Sequence, residues 1–166
     1  TDDTLLEQII LRISAEIEKR CSRVMLAANH TEYYIGDGTS KIYLKHWPIN
    51  SITSIHIDAD RKWNSDSAVD ADDIIISNSQ SGLVMLDGGE TFLKTIPEIE
   101  NVRVIYNAGY STIPYDLEQA CMEICCVRYI KSGGMVNSVV KGALTPDDVE
   151  DRAWKLIENN YRAISI

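Results

Sequence analysis

The residues best suited to bind a cation lie in one polar stretch between two β-type runs. They are Asp58, Asp60, Asn64, Asp66 and Asp70. An EF-hand loop needs glycine at its sixth position for the turn and glutamate at its twelfth as a bidentate ligand. Counted from Asp58, those positions hold Trp63 and Val69, and counting from Asp60 fails in the same way. We therefore predict a solvated loop and not a calcium site.

The cysteines and histidines are the other residues that could bind a metal. They are Cys21, Cys121, Cys125, Cys126, His30, His46 and His56. A zinc site needs four ligands, usually with Cys-x-x-Cys spacing and a second pair nearby. No such spacing occurs, and three of the cysteines fall inside one apparent helix. We predict buried, reduced cysteines that pack as small apolar residues, and no metal or other cofactor.

Catalytic motifs are also missing from the sequence. The segment Gly36–Lys41 contains glycines and a lysine, but a P-loop needs a different glycine spacing and a helix after its lysine. No Gly-x-Ser-x-Gly elbow occurs. The carboxylate pair Asp72-Asp73 is explained by a polar loop, and the pair Asp147-Asp148 by the start of a helix. We predict no catalytic residues, so the chain is not expected to be an enzyme.

The charge balance argues against nucleic-acid binding as the main activity. The chain has 166 residues and a formal net charge of −9, and its basic side chains are scattered. Proteins that grip DNA usually cluster lysine and arginine against the phosphates. The acid excess either keeps DNA away or simply keeps the protein soluble, and both interpretations stay open.

Membrane insertion and export are not indicated. No apolar run approaches the ~20 residues of a membrane span, and the N-terminus lacks a basic-then-apolar signal. We expect a protein that is made in the cytoplasm and has no membrane partner.

Helices are predicted at both ends of the chain. Residues 1–28 are assigned to an N-terminal helix. Apolar residues recur there at i, i+3 and i+4, the last of them at Val24, and the helical pattern extends to Ala27. Residues 114–162 are assigned to two C-terminal helices. Pro114 suits the first position of the earlier of these helices, and Thr145 suits the N-cap of the later one. Residues 163–166 form an apolar tail.

Short β-type runs separated by turn residues fill residues 31–110. The runs that begin at Tyr33 and Ile42 flank a glycine-rich turn and predict a hairpin. Those that begin at Ile74 and Leu83 flank a second polar turn. The predicted fold class is therefore α+β, a helical bundle of one N-terminal and two C-terminal helices with an inserted antiparallel β-rich portion. The length suits a single domain over residues 1–166.

Two motifs in this order resemble a known family. The first is Pro48-Ile49-x-Ser51-Ile52, and the second runs from Tyr106-x-Ala108-Gly109-Tyr110 to Ile113-Pro114-x-Asp116-Leu117. With the N-terminal helix and the Tyr-Ile-Gly-Asp-Gly-Thr turn, they resemble the head–tail connector (adaptor) proteins of long-tailed phages. The resemblance covers roughly Leu5 to Lys131. The polar stretch 58–73 and the C-terminal extension are less typical of the family.

The resemblance implies a structural virion protein of the phage neck. Such a protein forms a homo-oligomeric ring of about a dozen subunits beneath the portal protein. It extends the DNA channel, lets DNA pass without specific binding, and docks a stopper or tail-completion protein. Another neck or tail-completion protein is the nearest alternative, and a small-ligand-binding domain is a more distant one.

Two groups of residues are candidates for these contacts. The tail could dock on the portal or pack on its own subunit, and the carboxylates could lie at the ring interface or face the channel. The tail candidates are Tyr161, Ile164 and Ile166. The carboxylate candidates are Glu7, Glu16, Glu18, Asp147, Asp148 and Glu150.

Overall fold

Three helices and six strands follow one another in a computed structural model that describes residues 2–95, 99–133 and 145–163. The helices are α1 (Asp2–Cys21), α2 (Tyr115–Lys131) and α3 (Pro146–Tyr161). The strands are β1 (Ala28–Ile35), β2 (Lys41–Tyr43), β3 (Ile49–Ile57), β4 (Ile74–Asn78), β5 (Leu83–Leu86) and β6 (Glu100–Ala108). The α+β prediction is confirmed, because the antiparallel strands lie in the chain between the first helix and the last two.

The chain divides into two compact units. The helical unit comprises residues 1–23 and 112–166, and the β unit comprises residues 24–111. Among the described residues, no helix is long and apolar enough to span a membrane.

The helical unit buries one apolar stripe from each helix. On α1, Ile9, Ile13 and Ile17 follow one another at i+4, so they lie on one face. The other buried apolar residues are Cys21, Leu117, Ala120, Ile124, Cys125, Val127, Ala153, Trp154, Ile157 and Tyr161. These side chains form the apolar core of the helical unit.

The helix boundaries differ slightly from the sequence pattern. Helix α1 ends at Cys21 and not at Ala27, because the following segment joins the β unit. There the backbone N–H of Tyr110 donates to Met25 at 2.8 Å, and that of Ala27 donates to Tyr110 at 3.0 Å. Helix α2 begins one residue after Pro114, which serves as its N-cap.

The start of α3 matches the sequence prediction. The hydroxyl of Thr145 accepts from the backbone N–H of Asp148, whose carboxylate in turn accepts from the N–H of Thr145. This reciprocal capping box satisfies backbone donors that a helix end otherwise leaves unpaired. Proline 146 occupies the first turn.

The β unit contains two three-stranded antiparallel sheets, ordered β1-β6-β3 and β2-β5-β4. The runs predicted on either side of the second polar turn are β4 and β5, which pair as a hairpin with Gly82 in a left-handed conformation at its turn. The hairpin predicted between β1 and β2 is wrong, since β1 pairs with β6 and β2 pairs with β5. The chain leaves the first sheet at Gly36, whose Cβ would lie only 2.2 Å from the carbonyl oxygen of Leu93.

Candidate functional site

Ionic contacts join all three helices of the helical unit. Arg128 on α2 reaches Glu150 on α3 at 2.7 Å and Glu16 on α1 at 3.8 Å. Lys131 reaches Glu150 at 2.8 Å and Asp147 at 2.7 Å. Three of the predicted carboxylates are thus brought together by two basic residues of α2. We call these five residues the ionic network.

Glu150 is the buried centre of the ionic network, with 8% of its surface exposed. Burial alone would raise the pKa of its carboxyl, because it disfavours the charged form. Hydrogen bonds from Lys131 and Arg128 outweigh this effect and hold the pKa below its usual value. The carboxylate is therefore ionised and paired inside the unit.

A second ionic contact extends the network along α1. The guanidinium of Arg20 lies 2.8 Å from Glu16 and 3.2 Å from Glu158 on α3. It also stacks 3.9 Å from the ring centre of Trp154. Charge pairing and cation–π contact thus act on the same guanidinium and hold α1 to α3.

The other predicted carboxylates have separate roles. Asp148 belongs to the capping box, and hydrogen bonds from Thr145 lower the pKa of its carboxyl. On α1, Glu7 is exposed and Glu18 is half-buried. These three residues are not part of the ionic network.

Of the three tail candidates, only Tyr161 lies within the described residues; Ile164 and Ile166 lie outside them. Tyr161 is buried, and its hydroxyl donates to Asp116 on α2 at 2.5 Å. The backbone N–H of Ala163 then donates to the carbonyl of Cys21 at 2.8 Å. The chain after α3 is therefore tied to the C-terminal end of α1.

A half-buried polar cluster in the β unit was not identified in the sequence. The carboxylate of Glu32 accepts from the hydroxyls of Tyr34 and Tyr106, and it lies 3.5 Å from Nε2 of His46. The ring of His30 stacks on that of His46 with centroids 3.9 Å apart. We call these five residues the tyrosine–histidine cluster.

Hydrogen bonds assign the donors and acceptors of this cluster. Because the backbone N–H of Val24 donates to Nδ1 of His46, the neutral ring carries its proton on Nε2, facing Glu32. Burial and the neighbouring Glu32 raise the pKa of both Tyr34 and Tyr106. Both phenols therefore remain protonated donors. The sequence does contain a signal for this cluster. His30, Glu32 and Tyr34 are polar residues at alternate positions of β1, so they lie on one face of the strand, the less exposed one.

A buried asparagine joins β6 to the loop before it. The side chain of Asn101 is fully buried; its amide nitrogen donates to Leu93 at 2.6 Å, and its oxygen accepts from Gly36 at 2.9 Å. These contacts supply partners for backbone groups where the chain leaves the first sheet. The residue stabilises a chain crossing and has no exposed chemistry.

The acidic stretch 58–73 is an ordered loop that packs on the sheet. The carboxylate of Asp58 accepts from the backbone N–H groups of Asp60, Lys62 and Trp63. Desolvation acts to raise the pKa of Asp58, but these hydrogen bonds hold it below its usual value. Trp63 stacks near Tyr33, with centroids 5.6 Å apart. In the described parts of the chain, no three metal-ligating side chains converge.

The cysteines follow the sequence prediction in part. All four are free thiols; Cys21 and Cys125 are buried, and Cys121 is half-buried. Cys126 differs, because it is exposed on α2. A hydrogen bond with Cys121, one helical turn earlier, and burial raise the pKa of the Cys125 thiol.

Solved structures of gene transfer agent particles contain chains with this fold. A chain in the neck of an empty particle, computed with C6 symmetry, aligns at a TM-score of 0.61 and 15% identity, covering 100% of this chain and 81% of that chain. A chain in the native virion gives 0.60 and 15%, covering 100% and 80%. A chain in the native neck, computed with C12 symmetry, gives 0.59 and 16%, covering 98% and 84%. At identities this low, the likeness establishes the fold alone.

The family is established by sequence. No curated protein is significantly similar to this chain, but the sequence profile of a family described as head completion protein matches residues 1–143. That match includes both motifs that resemble phage neck connectors, so the identification made from those motifs is confirmed. This chain belongs to the head completion protein family.

Proposed function

We propose that this chain is a non-enzymatic structural subunit of a virion neck. It acts as one copy in a ring beneath the portal, extends the DNA channel and docks the stopper or tail. The observation that carries the proposal is the family match over residues 1–143. The shared fold with chains of neck assemblies of C12 and C6 symmetry supports the ring.

The helical unit is suited to a mechanical role. A ring subunit must keep its shape while its neighbours and the passing DNA load it. The ionic network and the contact of Arg20 with Trp154 join three helices with directional bonds in addition to the apolar core. This arrangement favours a rigid element over a mobile one.

The carboxylates divide into two groups for this proposal. Glu16, Asp147 and Glu150 are paired with basic residues, so they stabilise the subunit more than they repel DNA. Glu7 and Glu18 are the α1 carboxylates that we propose for the ring interface or the channel. Together with the net charge of −9, they would discourage tight phosphate contacts and let DNA slide. DNA ejection at an unchanged rate after neutralisation of Glu7 and Glu18 would contradict this role.

The tail is a separate part of the proposal. Residues beyond Ala163 could dock on the portal, with Ile164 and Ile166 as apolar anchors. Tyr161 supports that role indirectly, because its bond to Asp116 fixes the point at which the tail leaves α3. Deleting residues 164–166 should then weaken binding to portal-bearing heads while leaving the helical content intact. Undiminished binding would contradict the docking role.

The decisive experiment compares the free protein with the protein bound to heads. Three samples would be analysed by sedimentation and negative-stain imaging. They are the protein alone, the protein with DNA-filled heads that carry the portal, and the protein with heads that lack the portal. We expect a ring at the portal vertex only in the second sample. Binding at a different neck position would favour another neck or tail-completion protein, and indifference to heads would favour a ligand-binding domain.

A further inference from the structure

Helix α2 has apolar residues on two opposite faces. One face packs in the core of the helical unit. The other carries Tyr115, Gln119, Met122, Cys126 and Ile130, spaced by four, three, four and four residues, which we call the α2 outer stripe. Tyr115 is 86% exposed and Met122 is 49% exposed. Exposed apolar side chains grouped in one stripe are typical of an interaction surface, so this face calls for a partner.

Helix α1 carries a similar stripe away from its core face. Gln8, Leu11 and Ala15 are exposed and uncharged, and they are spaced by three and four residues; we call them the α1 outer stripe. Leu11 at its centre is 70% exposed. Apolar positions that alternate by three and four residues are the pattern with which two helices pack side by side, and this stripe has that spacing with Leu11 as its large apolar member. Both stripes therefore have the spacing of a helix–helix contact.

The charges beside the two stripes are complementary. The α2 outer stripe is flanked by acidic residues, of which Glu118 is exposed. The α1 outer stripe is flanked on one side by exposed Arg12 and Lys19, with Glu7 and Glu18 on its other side. Opposite charges beside an apolar seam set which helices pair and on which side. The basic side of the α1 outer stripe can thus meet the acidic residues beside the α2 outer stripe, whereas two α2 outer stripes would place acidic residues against each other.

We propose that the α2 outer stripe of one copy packs against the α1 outer stripe of the next copy. This inference rests on the proposed ring, since it names the contact that closes the ring. Two different, complementary surfaces on one chain make a head-to-tail contact, and such contacts close into rings when the rotation between copies permits. The occupant of the α2 outer stripe is therefore a second copy of this chain.

Cys126 tests this contact without any mutation. It is the exposed thiol within the α2 outer stripe, whereas Cys125 beside it is buried. The free protein and the ring on portal-bearing heads would each be treated with N-ethylmaleimide, and labelling at each cysteine measured by mass spectrometry. We expect Cys126 to label in the free protein and to lose labelling in the ring, down to the level of Cys125. Unchanged labelling of Cys126 in the ring overturns the inference.

Charge reversal tests the identity of the facing helix. Arg12→Glu and Glu118→Arg should each reduce ring formation, because each places like charges across the seam. One exposed ion pair changes an association constant by up to about fivefold, and the effect repeats at every contact of the ring. The double variant should restore the ring. Asp151→Arg, an exposed reversal on α3 outside both stripes, is the matched control and should assemble normally.

The outcomes separate this inference from the proposed function. If the wild type forms no ring on heads, the proposed function fails first. If the ring forms while Cys126 still labels and the double variant assembles no better than the single ones, the inference fails and the function stands. Protection of Cys126 by isolated portal, with no response to charge reversal, would assign the stripe to the portal and likewise overturn the inference.

Discussion

Replacing Glu150 with glutamine removes the buried charge at the centre of the ionic network but keeps the side chain's shape. The ionised carboxylate accepts from Arg128 at 2.7 Å and from Lys131 at 2.8 Å. Glutamine keeps one acceptor oxygen and brings an N–H₂ group that opposes the basic side chains. The helical unit should therefore be less stable in Glu150→Gln.

The size of the effect follows from burial. Breaking a fully buried ion pair costs about 3–5 kcal/mol, whereas an exposed pair is worth about 0.2–1 kcal/mol. Glu150 is 8% exposed, but the side chain of Arg128 is 41% exposed. Solvent screening at that side chain places the expected loss at about 1–2 kcal/mol. For a chain of this length, the midpoint of thermal unfolding should fall by about 2–8 °C.

The pH dependence distinguishes charge from packing. The pKa of Glu150 is lower in the folded protein, so the unfolded chain binds the proton more tightly. The stabilisation is therefore complete above the unfolded pKa of about 4.3 and is lost as pH falls through the folded pKa. The difference between wild type and Glu150→Gln should shrink between about pH 7 and about pH 3.

The assay is urea unfolding followed by far-ultraviolet circular dichroism, which reports on the helices. Asp151→Asn is the matched control, because it makes the same change of net charge at an exposed position of α3. The control should unfold at the wild-type urea concentration. The reasoning would be refuted if Glu150→Gln lost the same unfolding free energy at about pH 7 and about pH 3. It would also be refuted if that loss were no larger than the loss in the control.

Three further substitutions test the local structure. Thr145→Ala removes the hydroxyl of the capping box and should cost about 1 kcal/mol in urea unfolding; unchanged stability would show that the cap is dispensable. Gly36→Ala places a methyl group 2.2 Å from the carbonyl oxygen of Leu93 and should destabilise the β unit by about 2–3 kcal/mol; a wild-type melting curve would contradict that close approach. Tyr106→Phe removes the hydroxyl that donates to the Glu32 carboxylate and accepts from the backbone N–H of His46. The free energy of unfolding should fall by about 1–3 kcal/mol. Tyr43→Phe, at an exposed tyrosine, is its control and should be neutral; equal losses in both would argue against a special role for the buried hydroxyl.

The helices were the part of the fold most open to sequence prediction. Their signals are local: the i, i+4 spacing of Ile9, Ile13 and Ile17, and the Thr145-Pro146 start of α3, act within one or two turns. The β4–β5 hairpin was predictable for the same reason, because its turn lies between adjacent strands.

Strand pairing across long separations was not predictable in this way. The turn after Ile35 has hairpin composition, but Gly36 instead contacts a carbonyl more than fifty residues away, at Leu93. The partner of β1 is β6, near the end of the β unit. Nothing in the spacing of β1 and β2 distinguishes a hairpin from a crossing between sheets, since register depends on which faces are buried.

The candidate site shows the same division. Motif order identified the family, and the ring that the resemblance implies made Glu16, Asp147 and Glu150 carboxylates of interest. Only the packing of three helices places these acids beside Arg128 and Lys131, and so makes them paired rather than free. The sequence determines where helices begin, which faces are apolar and what net charge the chain carries, because those properties are local or additive. Tertiary structure decides which charges meet, because pairing depends on distances of a few ångströms between residues far apart in the chain.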